Sequence, residues 1–383
     1  MYKKSFTKII FIKLSLLFMH IKNIILFVLF QVLKNINKLR KKSFESEKVV
    51  LLFNNGQLGD LLVSSVYFEN YDLYDKSYKF FFLIKEEYST IFNEYNGPIS
   101  IITYKHNEYR KSIFYKIKIV NKLNSLKIKY YFNVCADRGI LTEELSYYIS
   151  AETKYCLNKG TESLNKYLLN YFNKSYKKLL FDENENEYKK NISLIRLYLL
   201  LDKQNEKLVS INEHKIITCS ISKKPNIVIA PFTSDMSRNW GVERYKELII
   251  NLSKEYFVVI LGSENNKNMI KINYENYKIR NLIGKTTLQE ATNYIANCML
   301  FIGNDSGLTH LAFKLNKPII ALIGGGRWNR FFPYYCNANN KVYLCYEMEC
   351  FNCGWSCNYK EMYCLTKISV GMVIVEAKKL ISK

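Results

Sequence analysis

The chain repeats one local pattern: a short, unbroken apolar and β-branched run, a turn carrying glycine or asparagine, then a stretch with helical apolar spacing. Val49-Val50-Leu51-Leu52-Phe53 is such a run, ended by Asn54-Asn55-Gly56, and Gly59-Asp60 opens an apolar-periodic stretch through Tyr67. Runs this short and continuous suit strands buried on both faces, and helical crossovers between them give a mostly parallel sheet. Further strand-like runs fall at 80–84, 99–102 and 130–134, so a first domain spans about 45–215. The polar stretch 179–190 reads as a surface loop, followed by a helix over 192–201. The pattern restarts at Asn226-Ile227-Val228-Ile229-Ala230-Pro231, with strands at 257–261, 299–303 and 318–323 and helices over 243–252, 288–296 and 308–315, giving a second domain over 222–383. The expected fold class is α/β, two Rossmann-like domains facing across a cleft, with a ligand crevice at the carboxyl ends of the strands.

At 383 residues and 48% hydrophobic content the chain can bury two large cores, which excludes a single small binding module. Its 56 Lys and Arg against 34 Asp and Glu leave a formal charge of +22. That excess favours anionic partners: nucleotides, phosphorylated glycolipid, a membrane surface or nucleic acid. Nucleic acid has charge alone behind it, with no recognition motif, and is not expected as a partner. Cys135, Cys156, Cys219 and Cys298 lie scattered in apolar or mixed segments, as free buried thiols do, and point to a reducing cytoplasm.

Residues 1–42 differ from the rest. Apolar runs at 9–18 and 24–33 are punctuated by lysines, among them Lys13 and Lys22, and none reaches the roughly 18 to 20 residues of a spanning helix. Drawn as a helix, the tail gathers Lys13, His20, Gln31, Lys34 and Lys38 near one face, with Leu, Ile and Phe over most of the remainder. This suits a helix lying in a membrane interface. The rivals are a tilted anchor with snorkelling lysines, a helix packed on the protein's own surface, and a signal peptide, which the split apolar core and the lack of a small-residue cleavage site disfavour.

The richest segment is Met299-Leu300-Phe301-Ile302-Gly303-Asn304-Asp305-Ser306-Gly307-Leu308-Thr309-His310-Leu311-Ala312, a buried strand running straight into a helix. Asp305 or Ser306 can cap that helix, Gly307 lets backbone amides approach a ligand, and His310 can turn a ring nitrogen toward it, so the junction suits a diphosphate. Ordinary caps and a core histidine are the plain alternative. Gly324-Gly325-Gly326 supplies a second flexible loop at the same sheet edge, with Arg327 and Arg330 beside it. Hydroxyls and a guanidinium, which a diphosphate also needs, occur in Pro231-Phe232-Thr233-Ser234-Asp235-Met236-Ser237-Arg238-Asn239-Trp240.

The run from Asn304 to Ala312 resembles the donor-diphosphate signature of glycosyltransferase family 9, the lipopolysaccharide heptosyltransferases. The second domain is similar to that family nearly from end to end. The resemblance implies a GT-B fold and transfer of a sugar, heptose from ADP-heptose, to a lipopolysaccharide-core or similar glycan acceptor at the inner face of the inner membrane. It implies donor-phosphate roles for Thr233, Ser234 and Arg238, alongside Asp305, Ser306, Gly307 and His310, and a place near the nucleoside for Glu264. Gly59-Asp60 resembles the family's amino-terminal motif, which implies that Asp60 is general base; by position alone it is a helix cap whose pKa the helix end should depress. The expected reaction is an inverting displacement that needs no metal, because no Asp-x-Asp clamp stands out. The alternatives are another GT-B nucleotide-sugar enzyme with a different donor, an epimerase included, and an inactive relative serving as a scaffold.

This sequence departs from the family at Val66, Gly241 and Phe232, and 67–179 offers little to match, which is where the acceptor should bind. Cys350, Cys353, Cys357 and Cys364 have spacing compatible with a structural zinc, with free thiols as the alternative.

Overall fold

The computed structural model describes residues 48–93, 95–157, 166–179, 185–198, 226–267, 269–271, 277–334 and 339–382, together with Val28. The basic tail, apart from Val28, and the domain boundary expected between 215 and 222 lie outside the described residues. Among the described residues no helix is long and apolar enough to cross a membrane.

Two six-stranded sheets carry the fold. The first contains β1 (Val49–Phe53), β2 (Lys79–Lys85), β3 (Ile99–Tyr104), β4 (Ile128–Asn133), β5 (Ala151–Cys156) and β6 (Lys178–Leu179), in the order β3-β2-β1-β4-β5-β6. The second contains β7 (Asn226–Ala230), β8 (Phe257–Ile260), β9 (Ile279–Asn281), β10 (Leu300–Asn304), β11 (Ile319–Leu322) and β12 (Lys341–Leu344), in the order β12-β11-β10-β7-β8-β9. Both follow the same winding, and the paired strands run parallel, as in Leu51↔Phe81, Leu51↔Tyr131 and Ile229↔Ile302. Every residue of β1, β7 and β10 is buried, which is why these strands read as unbroken apolar runs. The winding reverses between β1 and β4 in one sheet and between β7 and β10 in the other. At such a switch point neighbouring connections leave in opposite directions and open a crevice at the carboxyl strand ends.

The helices used below are α1 (Leu58–Ser64), α2 (Glu187–Tyr198), α3 (Val242–Ser253), α4 (Gly307–Lys314) and α5 (Val370–Ile381). Ser369 caps α5 by accepting from Met372 N–H, and the helix buries Val370, Val373, Ala377 and Leu380 in a core shared with Tyr245, Leu248 and Leu252 of α3. A different core runs without a break from Val50, Leu52 and Leu62 in the first half to Val228, Phe301 and Leu311 in the second.

The halves meet where α1 crosses α4. A Cβ on Gly59 would lie 2.7 Å from Cδ2 of His310, and one on Gly307 would lie 2.8 Å from Cβ of Leu58. Each helix thus offers a residue without a side chain to a neighbour from the other. Buried Glu69 accepts from Lys314 at 2.6 Å and from the Tyr188 hydroxyl at 3.3 Å, a pairing that joins elements of both halves.

The structure corrects the reading of 179–190 as a surface loop at its described end, 186–190; residues 180–184 lie outside the described residues. Asn186, Glu187, Tyr188 and Lys190 are buried, and α2 starts at Glu187, whose N–H donates to the carbonyl of Arg330 at 2.8 Å. Glu187 pairs with Arg330 of the other half at 3.3 Å and with Lys190 at 3.3 Å, while Lys189 stays exposed. The sequence does not signal β5 or β6: β5, between β4 and β6, carries Glu152 and Lys154 and is only partly buried along most of its length, and β6 is two residues long.

Replacing Gly307 by Ala separates two effects. Helix propensity alone favours alanine by about 1 kcal/mol, whereas the crossing requires Leu58 to move, an overpacking cost of about 1–3 kcal/mol. A lower urea midpoint for Gly307→Ala is expected, and a raised one would show that the helices do not touch there.

Candidate active site

The second half contributes the β10–α4 junction and the loop after β7. Asn304, fully buried, accepts from Trp240 N–H at 3.1 Å and donates to the Pro231 carbonyl at 2.8 Å, pinning both ends of the 231–240 loop to the strand. The Trp240 indole is buried and donates to the Ile368 carbonyl at 2.8 Å. Ser306 takes the N-cap position in an extended conformation (φ −150°, ψ 166°), but its side chain accepts no helix amide and sits 3.3 Å from the Thr309 hydroxyl. The first amides of α4 are therefore left without a side-chain acceptor, at the end of the helix that carries positive partial charge.

Arg238 reaches this end. Its guanidinium donates to the Asp305 carbonyl at 3.4 Å and to Ser234 Oγ at 3.3 Å, and stands 4.0 Å from Asp305 Oδ2. Asp305 Oδ1 is buried, makes no hydrogen bond, and lies 3.6 Å from His310 Nε2. Thr233 spends its hydroxyl locally, donating to the Asp235 carbonyl and accepting from Asp235 N–H at 3.2 Å. His310 is 3% exposed: Nδ1 is 2.7 Å from the Tyr334 hydroxyl and the ring stacks on Phe332 with centroids 4.3 Å apart. It lines the cleft and forms part of the helix crossing.

The facing wall is the turn after β1. Buried Asn54 donates to Ser64 Oγ at 2.9 Å and to the Asp60 carbonyl at 3.3 Å, and accepts from Gly56 N–H at 2.7 Å. Asp60 occupies the third position of α1, not its cap, with Oδ2 accepting from Gln57 N–H at 2.8 Å. The expected depression by the helix end does not prevail. Burial pushes the carboxyl above its ordinary value, the Gln57 amide pulls it down, Asp137 raises it, Arg330 lowers it and Glu187 raises it.

The sequence marks Arg330 only as a neighbour of the glycine triplet and carries no signal for Asp137. Arg330 crosses between the halves, donating to Asp137 Oδ1 at 2.8 Å, the Ala136 carbonyl at 3.0 Å and Glu187 Oε1 at 3.3 Å. Its partners lie 143 to 194 positions away in the chain, so no local pattern could mark them. Lys85, at the end of β2, is also new: it is 5% exposed, and burial lowers its pKa while Glu87 and Asp60 act against that.

Two expectations change. The glycine triplet is not a flexible open loop: a Cβ on Gly324 would lie 2.8 Å from the Trp355 ring, and Phe351 and Trp355 fill the space over Gly325 and Gly326. Asn352 N–H and Gly354 N–H donate to the carbonyls of Gly325 and Gly326 at 2.7 and 2.8 Å, so the triplet seats the cysteine-rich segment. Cys350, Cys353, Cys357 and Cys364 are free thiols lining one small cavity beneath this seat. They do not fit a zinc ion as placed, since no three His, Cys, Asp or Glu side chains among the described residues are grouped to hold a metal. Backbone pairing and aromatic packing hold the segment instead. Glu264 is 64% exposed and paired with Lys267 at 3.0 Å, beside Ser263, Asn265 and Asn266, which line the cleft.

One cleft of about 860 Å³ joins the two walls, with Gln57, Asp60, Tyr88 and Asp137 on one side and Thr233, Ser234, Arg238, Asp305, Ser306, Gly307, His310 and Arg327 on the other. That volume lies in the range of pockets for ligands of cofactor size. Two doubly wound domains whose switch points share a cleft define an α/β architecture of the GT-B type. Residues 159–359 match the family described as glycosyltransferase family 9 (heptosyltransferase), and the chain belongs to that family. Lipooligosaccharide heptosyltransferase 2 of Campylobacter jejuni subsp. jejuni serotype O:2 is 26% identical over 152 residues, covering 38% of this chain and 47% of that protein. The chain thus spans about half the length of this curated relative. A family 9 glycosyl transferase structure from Veillonella parvula superposes with TM-score 0.67 at 18% identity over 89% of this chain and 99% of the other. An E. coli heptosyltransferase solved with ADP-2-deoxy-2-fluoro heptose gives TM-score 0.62 at 16% identity over 86% and 99%.

The raised carboxyl of Asp60 has a consequence for stability. A carboxyl whose folded pKa lies above its unfolded value favours folding while protonated, and that contribution is lost as pH rises through the folded value. Asp60→Asn, which keeps an acceptor for Gln57 N–H, should therefore melt higher than the parent at neutral pH, with the gain vanishing below the ordinary carboxylate value of 3.8. Melting curves across pH check this, and a lower melting temperature at neutral pH would contradict it.

Proposed function

We propose that the chain is a nucleotide-sugar glycosyltransferase that moves heptose from ADP-heptose to a lipopolysaccharide-core or similar glycan acceptor, at the inner face of the inner membrane. One observation carries the reading: a carboxylate with a raised pKa on one wall faces an uncapped helix end and an arginine on the other, within a single cleft. The relative solved with ADP-2-deoxy-2-fluoro heptose supports this choice of donor. The basic apolar tail is assigned to the membrane interface.

The donor diphosphate lies across the amino end of α4, held by the free amides, Arg238, Arg327 and the hydroxyl of Ser234. An acceptor hydroxyl sits against Asp60. As its oxygen bonds to the anomeric carbon, the carbon–oxygen bond to the diphosphate breaks, Asp60 takes the hydroxyl proton, and the diphosphate leaves with the electron pair. Base and leaving group occupy opposite walls, so a single displacement inverts the anomeric centre. Guanidinium groups and helix amides meet the charge that grows on the departing phosphate, the task a divalent ion performs in other enzymes.

Transfer should therefore persist in excess chelator. Asp60→Ala should lower kcat/KM by about 10² to 10⁴, and Arg238→Ala by about 10² to 10³, the loss typical of one charge-stabilising donor. The base must be ionised, so the rate should fall as pH drops through the raised value of Asp60, with that acid limb shifted up from an ordinary carboxylate. Assays of transfer from ADP-heptose to a lipopolysaccharide-core acceptor test all four. Full activity of Asp60→Ala would remove the base, and turnover of donor without any acceptor would remove the transferase.

A further inference from the structure

The helix Ile113–Asn124 follows β3, the outermost strand of the first sheet. Its inner face buries Lys116, Ile119, Val120 and Leu123, and Lys116 is neutralised by Glu144 at 2.6 Å. Its outer face is different in kind. Phe114 is 83% exposed, and Lys118 and Lys122 follow it one and two turns on, both exposed. The preceding short helix His106–Lys111 ends in Arg110 and Lys111, also exposed. Arg110, Lys111, Lys118 and Lys122 form no ion pair with any described residue. Between 105 and 127 the sole carboxylate is Glu108, which Lys105 holds at 3.0 Å.

We propose that this face docks on an anionic lipid bilayer, with Phe114 entering between headgroups and the four cations lying against lipid phosphates. A large aromatic ring left in water beside cations without counterions matches the two components of an interfacial contact, apolar insertion and attraction to anionic headgroups. Phe114 is the one large hydrophobic exposed on this face among the described residues, so it lacks the row of aromatic platforms that single-stranded nucleic acid uses. Its position adds a second argument. Phe114 stands in the first turn of a helix that begins near the carboxyl edge of the sheet, the edge at which the cleft opens. Docking there brings the Asp60 wall toward the membrane. For that purpose, though not for the contact itself, the inference rests on the glycolipid acceptor proposed above.

The test uses the full chain carrying Phe114→Trp and vesicles of phosphatidylcholine mixed with phosphatidylglycerol, with bromine on the acyl chains. The expected result is a blue shift and quenching of the added indole beyond the parent protein's own tryptophans, absent with pure phosphatidylcholine and lost in K118E/K122E. Sedimentation with vesicles but no quenching beyond the parent would mean that the tail alone binds, and would overturn the proposal. So would unchanged quenching in K118E/K122E, or no vesicle binding at all. A thermal shift with ADP on the same samples keeps the two readings apart: its loss in the parent would sink the donor site without touching this surface, and its retention in K118E/K122E shows the variant folded.

Discussion

The whole arrangement depends on the crossing of α1 and α4, where two glycines remove the side chains that would hold the helices apart. Gly59 receives His310 and Gly307 receives Leu58. Each glycine neighbours a residue of the cleft, Asp60 on one side and Ser306 on the other, so the packing that brings the helices together also turns both chemical walls toward one space. Any side chain at the crossing would push Asp60 away from the amino end of α4. Gly307 serves twice: the space where a side chain would stand seats Leu58 of the other half, and the residue still lines the cleft.

Charge across the cleft is arranged by the same contact. The first half brings Asp60, Asp137 and Glu187, the second brings Arg238, Arg327 and Arg330. Arg330 ties Asp137 and Glu187 to its own half and tempers their effect on Asp60, yet burial remains the larger influence and the carboxyl stays raised. A proton acceptor with an elevated pKa is the stronger base for a sugar hydroxyl, and an unspent helix end opposite it meets the negative charge that departs. Both features cost stability when the cleft is empty, as functional groups commonly do.

Much of this was legible in the sequence, for identifiable reasons. Central strands buried on both faces announce themselves as continuous apolar runs, so β1, β7 and β10 and the switch-point junctions after them could be read directly. The residues so located, Asp60, Thr233, Ser234, Arg238, Asp305, Ser306, Gly307 and His310, all line the cleft. What escaped was long-range. Asn186 and Glu187 look like part of a solvated loop until Asn329 and Arg330, far along the chain, are seen to meet them. The glycine triplet looks like a phosphate loop until Phe351 and Trp355 are seen to fill it. Composition and spacing record a residue's own habits, not which distant surface will meet it.

The most direct test of the central claim is a crystal structure of the chain grown with ADP. The account predicts the diphosphate within hydrogen-bond distance of the Gly307 and Leu308 amides and of the Arg238 guanidinium, with its outer phosphate pointing across the cleft toward Asp60. ADP bound elsewhere, or bound with those amides and Arg238 untouched, would contradict it.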